Sequence, residues 1–161
     1  MERLLQNWKQ ESESKYSENL AFLKSLKGVE EVDKRVAQIH DEVFEEANCL
    51  SCANCCKTTP ALVEKSDVKR IAKFLNIPPK SFIRKYLLED YNGDLVIQRV
   101  PCTFLNADNT CSIYEVRPKA CREYPHTNQT NFHRRSKLNA KNTLVCPAAF
   151  EIVERLKAIS K

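Results

Sequence analysis

The sequence predicts an α+β fold that is mainly helical, with a helical hairpin at the N-terminus and small antiparallel strands gathered around a cysteine cluster. Three observations predict it. Apolar residues recur at three- and four-residue steps over long stretches near both ends of the chain. Short runs of strand composition beside turn residues occur only in the middle. Four of the eight cysteines fall within Cys49-Leu50-Ser51-Cys52-Ala53-Asn54-Cys55-Cys56.

Residues 2–27 read as helix, with Leu4, Leu5, Trp8, Leu20, Phe22, Leu23 and Leu26 apolar among charges. The polar middle, Lys9 to Ser17, admits one helix or two. Gly28 is a natural stop. Residues 29–47 give a cleaner amphipathic helix, because Val29, Val32, Val36, Ile39, Val43 and Phe44 share one face. These pieces make the hairpin, expected to pack on the cysteine-bearing part. His40 falls off the apolar stripe and is expected at the surface.

After the cysteine stretch, Thr58-Thr59-Pro60 is an extended exit. Ser66 is the expected N-cap of a helix with Asp67 in its first turn, and Asn76 to Pro79 ends it. Lys80 to Leu88 reads as a second short helix. Asn92-Gly93 signals a tight turn before a strand at Leu95 to Val100, closed by Pro101. Cys102 to Leu105 and Cys111 to Tyr114 flank a turn-rich segment and predict a hairpin that brings Cys102 and Cys111 together. Arg117-Pro118 opens one helical turn carrying Cys121. His126 to Asn142 is polar, basic and without periodicity, and is expected to be a mobile or partner-facing loop. Cys146-Pro147 opens a last helix with Ala148, Phe150, Ile152, Val153, Leu156 and Ile159 apolar. The expected division is 1–47, N-terminal helices packed on the core, and 48–161, a cysteine-cluster domain.

Thiolates are soft ligands suited to zinc, copper(I) and iron–sulfur clusters, and two intervening residues let one turn present two sulfurs to one metal. The competing reading is a disulfide framework. Such frameworks belong to short secreted chains with cysteine above about 8% of residues. Here eight cysteines are spread over 161 residues, and Met1-Glu2-Arg3 leads into a polar break instead of a signal core. Adjacent cysteines such as Cys55-Cys56 also bridge each other poorly. Metal ligation by Cys49, Cys52, Cys55, Cys56, Cys102, Cys111, Cys121 and Cys146 is therefore expected, in a reducing cytoplasm and away from membranes, since no apolar run approaches the ~18 residues of a span.

With only two glycines, a phosphate loop and a dinucleotide fingerprint are excluded. Residues 130–161 hold seven Lys or Arg against two Glu, which accounts for the net charge of +5. Nucleic acid or another acidic partner is one reading of that tail. A solvated surface is the stronger one, because no nucleic-acid motif accompanies the charge.

The ordered set Cys49-x-x-Cys52-x-x-Cys55-Cys56, Cys102-x-Phe104-Leu105, Cys111-x-Ile113-Tyr114-Glu115-x-Arg117-Pro118-x-x-Cys121-Arg122-x-Tyr124-Pro125 and Cys146-Pro147 resembles the YkgJ-like cysteine-cluster proteins, also called CxxCxxCC proteins. The resemblance spans about residues 45–150 and implies chelation of zinc or iron. A related cysteine cluster occurs in flagellin lysine N-methylases, which would associate it with an iron–sulfur cluster and methyl transfer. This chain is small and has no visible glycine loop for S-adenosylmethionine.

Eight thiolates admit two zinc ions, one [4Fe–4S] cluster with four further sulfurs, or two clusters. Cys49, Cys52 and Cys55 with the remote Cys146-Pro147 echo the bacterial ferredoxin arrangement, leaving Cys56, Cys102, Cys111 and Cys121 as a second group. Four thiolates carry excess negative charge, for which Lys57, Arg117, Arg122 and Lys119 are the nearby candidate cations. His126 and His133 are reserve ligands, Tyr114 and Tyr124 packing aromatics, and no catalytic residue is assigned. The function expected is metal binding, as an iron–sulfur cluster or zinc, in electron transfer or cluster handling. The alternatives are a cluster-dependent protein-modifying enzyme and a zinc-stapled adaptor that holds a protein partner.

Overall fold

The computed structural model describes residues 2–29 and 31–160. In chain order they form α1 (Glu2–Leu5), α2 (Trp8–Ser14), α3 (Tyr16–Ser25), α4 (Val32–Glu46), α5 (Asn54–Thr58), α6 (Lys65–Phe74), α7 (Pro79–Tyr86), β1 (Leu87–Glu89), β2 (Leu95–Ile97), α8 (Lys119–Glu123), α9 (Ser136–Thr143) and α10 (Pro147–Ile159). Short 3₁₀ turns lie at Cys49–Ser51, Tyr114–Val116 and Phe132–Arg134. The fold is mainly helical α+β with one small antiparallel two-stranded sheet among the described residues. None of the described helices is long and apolar enough to cross a membrane.

The chain divides into two compact units, Met1–Cys52 with Pro125–Lys161, and Ala53–Tyr124. That line falls inside the cysteine stretch, whereas the division of the sequence at residues 47 and 48 follows the motif.

The helical unit is built on an aliphatic seam. Val32, Val36, Ile39 and Val43 line the buried face of α4, and Ile152, Val153 and Leu156 supply α10, which packs against it. α3 lies against α9. The stretch expected as one or two helices is three pieces. Asn7 takes a left-handed conformation at φ 59°, which asparagine tolerates better than most residues, and α1 ends there. The break leaves Trp8 buried, its indole N–H donating to the Thr143 carbonyl at 2.9 Å. Gly28 sits at φ +89° and ends the α3 region as expected, since a side chain there would be strained. Ile159, expected on the apolar side of α10, is exposed.

The segment read as a mobile or partner-facing loop is instead structured, with one side buried. It holds the 3₁₀ turn at Phe132–Arg134 and α9, and Phe132, His133, Asn139, Ala140, Asn142 and Thr143 are buried. Apolar periodicity is missing because its inward side chains are polar and bonded to main chain. Asn139 donates to the Phe132 carbonyl and Asn142 to the Pro125 carbonyl, each at 2.9 Å. The Arg135 guanidinium donates to the carbonyls of His126, Gln129 and Thr130. Asp33 accepts from the N–H groups of Asn131 and Phe132. Such bonds offset the cost of burying these groups.

The cysteine unit packs α6 and α7 over the sheet. β1 pairs antiparallel with β2, Leu87 opposite Ile97 and Glu89 opposite Leu95. Gly93 at φ +83° makes the connecting turn that Asn92-Gly93 predicts. β1 occupies residues expected at the end of a helix, because α7 stops at Tyr86. β2 is shorter than expected, ending at Ile97. Phe82, Tyr86 and Phe104 form an aromatic group with ring centroids 5.1–6.4 Å apart. The predicted second hairpin shrinks to a single bridge between Leu105 and Cys111, with Ser112 N–H donating to the Phe104 carbonyl. Beyond it the Cys102 N–H is engaged by the Cys56 carbonyl at 2.8 Å and the Tyr114 N–H turns back onto the Cys111 carbonyl at 3.1 Å, so residues 102 and 114 do not pair. At α6 the N-cap is Glu64, not Ser66, and the Glu64 N–H donates to Asp67 Oδ2 at 3.0 Å in a capping box.

Candidate metal centre

In the cysteine unit, the chain reaches Cys55 and Cys56 through Ala53, which takes a left-handed turn at φ 49° before the single-turn helix α5. The Cys55 and Cys56 sulfurs are 4.0 Å apart. The Cys56 carbonyl holds the Cys102 N–H, and Cys111 is placed by its bridge to Leu105. Cys121 rides on α8, whose first turn is set by Pro118, the carbonyl acceptor of the Cys121 N–H.

Electrostatics show which thiols are neighbours. Cys56 is lowered to about 7 by a hydrogen bond with Cys55, against the opposing effect of burial and with help from Lys57. Burial raises Cys102, and negative charge on Cys56 and Cys111 raises it further. Cys111 is also raised by burial and by Cys56, with Arg117 opposing. Cys121 is pushed up to about 12 by burial first, then by Cys56, Cys102 and Cys111, again against Arg117. Four sulfurs of one unit therefore lie within electrostatic reach of one another.

In the helical unit, Cys49 and Cys52 end one 3₁₀ turn closed by Cys52 N–H on the Cys49 carbonyl at 3.0 Å. The Asn48 side chain braces that turn by accepting from Leu50 N–H. Cys146 precedes α10, where the N–H groups of Ala149 and Ala148 favour its thiolate. Burial nonetheless pushes it up to about 12, and the charges of Cys49 and Cys52 add to the rise. These three sulfurs are neighbours too.

None of the eight cysteines is in a disulfide. Among the described residues, no group of three or more His, Cys, Asp or Glu is arranged so that it could hold a metal ion as it stands. The units supply neighbourhoods of sulfur, not a closed coordination shell. The donor chemistry still fits a soft cation. Partly buried thiols whose ionisation is disfavoured by burial and by neighbouring thiolate become better ligands where a positive charge compensates them.

The cations named from sequence separate into two kinds. Lys57 and Arg117 act on thiols, as above. The Arg122 guanidinium donates to the Arg117 carbonyl at 2.6 Å and thereby braces backbone. Arg117 itself lies 3.8 Å over the Tyr114 ring, and Tyr114 is half exposed. Lys119 places its ammonium 3.9 Å from Glu64. His133 is buried with Nδ1 3.5 Å from Asp33. His40 is half-buried, bonded to Thr127 at 2.7 Å and stacked on Phe44, so it is not the free surface group expected. Sequence reasoning missed the buried Asp67 and its partner Arg70. The available signal was the three-residue spacing of opposite charges on one helix face.

No curated protein and no solved structure matches the chain. The family model CxxCxxCC, described as "Putative zinc- or iron-chelating domain", matches residues 48–146, from the residue before Cys49 through Cys146. The chain belongs to the CxxCxxCC family.

Proposed function

We propose that this protein is a metal carrier in which Cys56, Cys102, Cys111 and Cys121 hold one metal centre within the cysteine unit. Cys49, Cys52 and Cys146 contribute to metal binding from the helical unit. The single observation that carries the reading is that charge on Cys56 reaches Cys102, Cys111 and Cys121, and that Cys121 also lies within reach of Cys102 and Cys111. Four sulfurs drawn from positions 56 to 121 have no reason to converge in a core that could hold aliphatic side chains there. Family membership supports zinc or iron as the metal.

The reading of a [4Fe–4S] cluster rests on sequence and attaches to the first group of cysteines: the Cys-x-x-Cys spacing at Cys49 and Cys52 and the remote Cys146 before Pro147 are ligand patterns of such clusters. When bound, a cluster supplies one-electron transfer or is itself passed on. At Cys56, Cys111 and Cys121 the chain's own cations offset thiolate charge. Lys57 stands beside Cys56, and Arg117 lies within reach of Cys111 and Cys121, so each favours thiolate over thiol. Loading releases protons, since each ligand must give up its S–H.

One observation favours a second reading, a structural zinc. Cys56, Cys102, Cys111 and Cys121 share one unit, and four thiolates are the ligand count of a structural zinc site, which would leave no open position for chemistry. Anaerobic purification followed by iron, zinc and sulfide analysis and a visible spectrum separates the two. Iron with sulfide and broad visible absorption establishes the cluster, and colourless protein with zinc establishes the staple. Protein that takes up neither metal, or whose uptake survives serine at Cys102 and Cys121 together, defeats the proposal.

A further inference from the structure

We infer that Asp67 and Arg70 are positioning residues for Cys121, clasping the loop that delivers this one sulfur to the centre proposed above. The inference rests on that reading of the four cysteines and assigns a role to two residues outside the cysteine motif. The Asp67 side chain is only 1% exposed, on an element that carries no cysteine. It is fully occupied. Its Oδ1 accepts from Arg70 Nη2 at 2.6 Å, its Oδ2 from the Glu64 N–H at 3.0 Å, and both oxygens from the Lys119 N–H at 3.2–3.3 Å. Lys119 is the first residue of α8 and lies two residues before Cys121. Arg70 Nη2 also donates to the Arg117 carbonyl at 2.9 Å, which accepts from Arg122 as well. One buried carboxylate and its guanidinium thus hold both sides of Pro118.

A residue needed only for the stability of α6 would have no reason to reach the main chain 52 residues away. The other three sulfurs are held by different means. Cys102 and Cys56 are tied through their own backbone bond, and Cys111 through the bridge to Leu105. The clasp should therefore act on Cys121 selectively. A buried charge also carries a cost, and burying it to cap a five-residue helix makes sense where the position of that helix matters.

The test is cysteine alkylation of the full-length protein, loaded with zinc, loaded with iron and sulfide, or chelator-treated under anaerobic conditions, mapped residue by residue by mass spectrometry. In the wild type, zinc should protect Cys56, Cys102, Cys111 and Cys121. In Asp67→Ala, alkylation of Cys121 in the loaded protein should rise on the order of tenfold, the scale seen when supporting partners of ligands are removed. Protection of Cys56, Cys102 and Cys111 should persist. Asp67→Asn, which keeps an acceptor for the Lys119 N–H, should restore part of the protection. If Asp67→Ala does not fold, Arg70→Met decides the matter with the same selective pattern at smaller amplitude, since that side chain is 35% exposed. Unchanged protection of Cys121, or equal loss at all four cysteines, overturns the inference while the metal reading stands. A wild type in which neither zinc nor iron with sulfide protects any of the four overturns the metal reading itself and the inference with it.

Discussion

The helical unit and the cysteine unit each combine an apolar core with polar side chains bonded to main chain, and they differ in what those bonds hold. In the first, Leu23, Val36, Ile152, Leu156 and Phe132, from distant parts of the chain, close on one another with almost no exposure. In the second, an aromatic and aliphatic core around Phe82 and Phe104 supports loops that are fixed by hydrogen bonds accepted by Asp67 and donated by Arg70 and Arg122. Apolar packing is non-directional and sets which faces meet, whereas a short charge-assisted hydrogen bond sets where one atom lies. In the cysteine unit such bonds fix the backbone on both sides of Pro118, next to Cys121. A unit that presents Cys146 at the start of α10 can rely on the helix.

The largest expected effect breaks the comparison if it is absent. Chelation of the loaded protein should strip amide protection from residues 53–124 while α4 and α10 stay protected, because metal-binding free energy is folding free energy where ligands lie on loops. Hydrogen exchange read by mass spectrometry would show it. Equal loss in both units, or none in either, would remove the distinction. Next in size, Phe82→Ala and Phe132→Ala should each cost about 3–5 kcal/mol, since both side chains are fully buried. Denaturant melts followed by local exchange should confine each loss to the unit that carries the substitution.

Smaller again is Trp8→Phe, which keeps most of the buried ring but leaves the Thr143 carbonyl without its indole donor. About 1 kcal/mol is expected, in the helical unit alone, by chemical denaturation. The smallest effect is a pH dependence in the same unit. Burial acts to raise Glu154, yet Lys157 and Lys15 outweigh it and hold the carboxyl below its ordinary 4.5. The unfolded chain therefore takes up the proton first as pH falls. The contribution of this group is fully present above about pH 4.5 and disappears as acidity passes the lower folded value. Glu154→Gln should flatten the acid limb of a stability–pH curve below pH 4.5 relative to wild type, and an identical limb would show the pairing to be without effect.

The long amphipathic segments were readable because their apolar spacing matches the helix: Val32, Val36, Ile39 and Val43 do face inward, as do Ile152, Val153 and Leu156. The segment from His126 to Asn142 was misread for the complementary reason. Its burial is achieved through Asn139, Asn142 and Arg135 bonding to carbonyls, and a polar residue that will find a partner looks in sequence like one that will face water. The candidate sulfurs could be named from spacing alone, whereas the spacing of Asp67 and Arg70 signals only a pair on one helix face and not the reach of Asp67 to Lys119.

By itself, then, the sequence determined the family, the mainly helical class and the reliance on thiols, because ligand identity and helical periodicity are local properties of the chain. Only the tertiary structure decided which sulfurs share a unit, why the second hairpin stops at one bridge, and which buried charges brace the cysteine loops. These depend on where backbone donors and acceptors from distant residues meet, such as Cys102 with Cys56 or Asp67 with Lys119, and no spacing along the chain encodes that meeting.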